Sequence, residues 1–100
     1  MDANEKNAVM FTHLVLMLHG AAMQHLGKLK NPLSEKIERD LRAAQGMIDL
    51  LEMLRARTSG NLSPEETRML DQVLQELRLN YVDESNKPEP APPAEGAPAS

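Results

Sequence analysis

The sequence predicts an all-α fold. It is read as a three-helix antiparallel unit that completes its core by homo-oligomerisation through helix 1, followed by a disordered C-terminal tail. Three observations lead there. Twenty consecutive residues, Asn7 to Leu26, carry no Asp, Glu, Lys or Arg. Apolar residues then recur at spacings of three and four through 37–54 and again through 70–81, the period of a helix with one buried face. Gly27, Gly60 and the run Ser63-Pro64-Glu65-Glu66 punctuate these stretches where helices stop and start.

The first helix is expected over about 5–26. It is apolar on almost every side, and such a helix must be surrounded by its own chain, by a second copy or by a partner. The run is long enough to raise the question of a membrane span. His13, His19, Gln24 and His25 interrupt it, and Gly20, Ala21 and Ala22 dilute it. Polar and ionisable groups are costly at bilayer depth, so the reading is a core or interface helix and no span. Gly27 ends it. The connection Lys28 to Leu33 follows, with a turn at Asn31-Pro32, because the residue before proline avoids the α region.

The second helix is expected over about 35–57. Ile37, Leu41, Ala44, Ile48 and Leu51 form one apolar row, and Ala43, Met47, Leu50 and Leu54 form a parallel one. Gly60 suits the left-handed position after it. The third helix, about 64–82, has the clearest start. Ser63 caps, Pro64 takes the first helical position and Glu66 completes a capping box. Leu70, Val73, Leu74, Leu77 and Tyr81 make its stripe. The helical domain is therefore 1–82. The segment 83–100, rich in Pro, Ala and Glu with little to bury, is expected to be disordered.

The net charge of −4 divides unevenly: about −1 falls on 1–82 and −3 on 83–100. A near-neutral body argues against a nucleic-acid binder, which shows a basic face. Phe11 and Tyr81 are the only aromatics, too few for stacking platforms. There is no cysteine, which excludes disulfides, thiolate metal ligands and Cys nucleophiles. No secretory signal is legible at the start, and the expected compartment is the cytoplasm.

The order of these signals resembles a known family. It comprises an apolar helix with Phe11 near its start, Leu26-Gly27, Asn31-Pro32, Asp40-Leu41, Ala44 and Ile48-Asp49-Leu50-Leu51. Then come Thr58-Ser59-Gly60-Asn61-Leu62, Glu66, Leu70 and Leu77-Arg78 with Tyr81. Over roughly residues 8–82 it is similar to the short bacterial proteins grouped as domain of unknown function eighteen forty-four. Ser34 departs from a turn expected to contain Gly, and Gly46 stands where a longer polar residue is usual. The resemblance implies a small, helical, bacterial, cytoplasmic protein, and implies no activity.

His13, His19 and His25 invite a metal hypothesis. Their spacing of six rotates each by about 240° from the last, so one helix cannot gather them round an ion, and no metal or other cofactor is expected. Asp40 falls between Met47 and Leu51 on the wheel of helix 2, inside its apolar face. A carboxylate there needs a helix N-terminus or a partner; the candidate partners are His25, Lys28, Arg78 and the Tyr81 hydroxyl. Arg55 lies on the same face at the other end, and Arg78 borders the stripe of helix 3. Asp40, Arg55, Arg78, His25 and Tyr81 are thus read as structural polar residues, not as a catalytic set. Met17 and Met53 lie outside the apolar arcs and suit a partner surface.

No glycine-rich phosphate loop or Ser/His/Asp set is present. The expected function is a non-enzymatic structural or protein-interaction protein that self-associates, most simply as a dimer. The alternative is a regulatory binding module. It would hold another protein or nucleic acid through the helix 1 surface or the cluster Lys28, Lys30, Lys36, Arg39 and Arg42.

Overall fold

Asp2 opens the first helix with a capping box. Its Oδ1 accepts the Glu5 backbone N–H at 2.8 Å, and Glu5 Oε1 accepts the Asp2 N–H at 3.1 Å. In the computed structural model, which describes residues 2–88, this gives α1 over Ala3–His25. A two-stranded antiparallel sheet follows, β1 (Leu26–Lys30) and β2 (Ile37–Arg39), then α2 (Leu41–Arg57) and α3 (Pro64–Ser85).

The sheet corrects the all-α expectation, and it corrects the expected start of helix 2 at residue 35. Gly27 has φ 79°, a left-handed conformation that lets β1 leave the helix end. Asn31 then builds the reversal. Its side-chain oxygen accepts the Leu33 N–H at 2.8 Å, its carbonyl accepts the Glu35 N–H at 2.7 Å, and its own N–H reaches the Lys36 carbonyl at 2.9 Å. Glu35 sits at φ 59°, which no right-handed helix accommodates. Ile37 pairs with Lys30 instead of extending the apolar row of α2, and it is more than half exposed. The helix can begin only at Asp40, whose side chain accepts the Ala43 N–H at 3.0 Å.

α3 starts as its sequence signals require. Ser63 Oγ accepts the Glu66 N–H at 3.1 Å, and Glu66 Oε1 accepts the Ser63 N–H at 2.9 Å. It runs to Ser85, three residues past the expected boundary at 82. Asp83 to Ser85 therefore belong to the helix and not to the tail. The expected disorder of 89–100 concerns a segment outside the described residues.

Cross-helix ion pairs give the packing directions. Arg55–Asp71 and Glu52–Arg78 join α2 to α3, so these helices run antiparallel. His19 of α1 lies beside Glu76, and Lys28 of the strand that follows pairs with Asp83, so α1 and α3 run parallel. The core is made of Val15, Ala22 and Leu26 from the first helix and strand, Ala44, Ile48 and Leu51 from α2, and Leu70, Val73, Leu74 and Leu77 from α3. Phe11, Leu18, Met23 and Tyr81 pack at its margin. Within α1 Val15 and Ala22 are fully covered and Phe11, Leu18 and Met23 half-covered beside them, so the chain itself covers one side of an all-round apolar helix.

Candidate functional site

The face of α1 opposite that stripe is the candidate. At about 100° per residue, Val9, Met10, His13, Leu16, Met17 and Gly20 fall within a sector of about 120°, turned away from Val15 and Ala22. Val9, Met10 and Met17 are 57–58% exposed and Leu16 is 52% exposed; Leu14 at the sector's edge is 41% exposed. From Asn7 onward this face carries no Asp, Glu, Lys or Arg. Together the five large side chains leave on the order of 500 Å² of apolar surface in water, near the upper end of the largest patch a monomer carries. Gly20 lies in the same sector, and a Cβ built there meets nothing within 4 Å. No packing inside the chain explains a glycine that costs a helix interior about 1 kcal/mol relative to alanine.

The second feature is an ionic lock where the hairpin meets the end of α3. Glu84 is 8% exposed. Its carboxylate lies 2.8 Å from Lys28 Nζ, 2.9 Å from Lys87 Nζ and 3.3 Å from Arg39 Nη1. The Arg39 guanidinium is itself nearly buried and also donates to the Glu84 backbone carbonyl at 2.8 Å. The hydrogen bond from Lys28 does most to hold the Glu84 carboxyl down at about 2, with Lys87 next and Arg39 adding to it against the opposing effect of burial. Asp83 is lowered by the same two lysines, and Lys28 and Lys87 are raised in turn by the two acids. Sequence reasoning assigns Glu84 to the tail. A signal to the contrary is present, because Glu84 stands three residues after Tyr81 and seven after Leu77, continuing the stripe of α3.

The structural polar candidates come together only in part. Asp40 is exposed, not buried in the apolar face of α2; because α2 starts at Leu41, Asp40 stands before the helix as its cap. It meets His25 through the main chain, where its N–H donates to the His25 carbonyl at 2.7 Å and closes the base of the hairpin. Arg55 does complement the end of α2, and its Nε donates to Asp71 Oδ1 at 2.8 Å. Arg78 turns outward to Glu52 at 2.7 Å. Tyr81 is half-buried against the core and lines a shallow groove with Gln45, Ile48 and Val82.

The five basic residues do not form one patch. Lys28 and Arg39 face Glu84, whereas Lys30 and Arg42 are exposed. His19 packs at the α1–α3 contact with Nε2 3.3 Å from Glu76 Oε1. Among the described residues no group of three or more His, Cys, Asp or Glu is placed to hold a metal ion. No helix there is long and apolar enough to cross a membrane. Met17 and Met53 are both about half exposed.

Comparison with curated proteins and with solved structures finds no match to the chain. A family model does match, over residues 8–84, which takes in α1 from Ala8 onward, the hairpin, α2 and all of α3 except Ser85. The chain therefore belongs to the family described as Domain of unknown function (DUF1844).

Proposed function

We propose that the protein is a non-enzymatic interaction module whose α1 face binds protein, and that a second copy is its first partner. The observation that carries this reading is the uncharged, half-exposed row Val9, Met10, Leu16 and Met17 on a helix covered on one side only. Covering each such side chain is worth up to about 1.5–3 kcal/mol, so a few of them suffice to drive association. Two copies pairing here would bury on the order of 1,000 Å², the lower bound for a specific interface. The bacterial and cytoplasmic setting belongs to the same proposal; it rests on the family resemblance, and a chain without cysteine needs no oxidising compartment. A module that grips a nucleic acid or another protein through its basic residues has less support, because Lys28 and Arg39 are committed to Glu84.

Light scattering and sedimentation on the full chain test the reading. The wild type should show at least twice the chain mass at micromolar concentration. Met17→Glu should shift it to monomer with unchanged helical circular dichroism. A wild-type monomer throughout that range would reject self-association.

A further inference from the structure

The outward face of α1 can be matched against a copy of itself running the other way, large side chains against small. Val15 is fully buried, and the middle of the exposed sector, near His13, lies about 160° round the helix from its side chain. In an antiparallel pair a two-fold axis relates positions whose numbers add to a constant, and a sum of 30 is the register that brings the long Met10 side chain level with Gly20. Met10 then meets Gly20, His13 meets Met17 and Lys6 meets Gln24 near the seam, with Val9 and Ala21 at its flanks. Bulky side chains of the N-terminal half thus meet small residues of the C-terminal half. Resting on the self-association reading above, we infer that two copies pair antiparallel through α1, each Met10 side chain filling the open space above the partner copy's Gly20.

Three observations favour this occupant and this direction. The space at Gly20 is open within the chain, with nothing within 4 Å of a built Cβ, so a second helix can approach there and use it. The face has no charge from Asn7 to Leu26, and its one cation, Lys6, is exposed at the end of the helix where it stays in water, so a copy of itself matches the face without burying an ion, whereas a strongly charged partner would not. A parallel pair would stack Met10 on Met10 and leave facing glycines with a void between them, against the close packing that interfaces share with protein interiors. The antiparallel arrangement also sets the helix dipoles in opposition.

The absence of native cysteine makes the test direct. Facing positions on helices about 8 Å apart bring Cα atoms within disulfide reach. Met10→Cys and Gly20→Cys full-length proteins are oxidised separately and as a mixture. The expected result is a mixed disulfide dimer from the mixture, joining one copy of each variant, and little from either protein alone. Ready cross-linking of each protein with itself would overturn the antiparallel inference in favour of a parallel pair. No cross-link in any tube while light scattering still reports a dimer would overturn it in favour of another surface, leaving self-association intact. A monomer by scattering would remove both. Gly20→Leu supplies a second readout: it should raise the melting temperature measured at monomeric dilution yet weaken dimerisation at least tenfold. An unchanged dissociation constant would overturn the role given to Gly20.

Discussion

Arg39 and Glu84, forty-five residues apart, are bound twice, through the side-chain ion pair at 3.3 Å and through the Glu84 carbonyl at 2.8 Å. This link fastens the hairpin onto the last turn of α3. The short β1–β2 pair would be marginal alone, and the link explains how it is held. It also explains why α3 continues past Val82, since shortening it would strand two cations against the hairpin.

Glu84→Gln should destabilise the fold by on the order of 2 kcal/mol. That is less than the roughly 3–5 kcal/mol of a fully buried broken pair, because Lys28 and Lys87 keep contact with water. Urea denaturation at neutral pH measures it, and a change within about 0.5 kcal/mol in either direction, the size of an ordinary surface substitution, would show that the lock contributes nothing.

The lock should also make stability fall in acid. The Glu84 carboxyl titrates near 2 in the folded chain against an ordinary value of 4.5, and Asp83 is shifted the same way. Between those values the unfolded chain binds more protons. The Glu84 contribution is therefore present above about pH 5 and is lost as pH falls toward 2, on the order of 2 kcal/mol once screening is allowed for. Urea midpoints taken from pH 6 to pH 2 should show that loss in the wild type and a shallower one in Glu84→Gln.

Two truncations separate the helix end from the segment beyond it. Ending the chain after Val82 removes Asp83, Glu84 and Lys87 and should lower the melting temperature by several degrees, because about 1 kcal/mol moves a domain of this size by about 4–8 °C. Ending it after Pro88 keeps the lock and should leave melting and helical circular dichroism as in the full chain. Equal melting of the two shortened chains would contradict the role of Glu84.

Asp40→Ala should cost about 1 kcal/mol, the value of a lost N-cap, and Asp40→Asn should restore most of it. A buried acid paired to a cation would instead lose several kcal/mol in either variant. Thermal melts of the two variants distinguish these roles.

Residue pattern by itself determined what depends on near neighbours. The Ser63–Glu66 capping box, the left-handed Gly27 and Gly60, and the Leu70–Leu77 stripe are each written within a few residues, and local backbone sterics decide them. The uncharged run of α1 was legible for the same reason. Tertiary structure decided the hairpin, since Ile37 fits the apolar row of a helix as well as it fits a strand. Its choice rests on Asn31 folding the chain back so that residues 37–39 meet β1. The same reversal moved Asp40 from a buried face to a cap and carried Arg39 to Glu84. Pairings across forty or more residues follow from where packed helices bring their ends, and no local period encodes that distance.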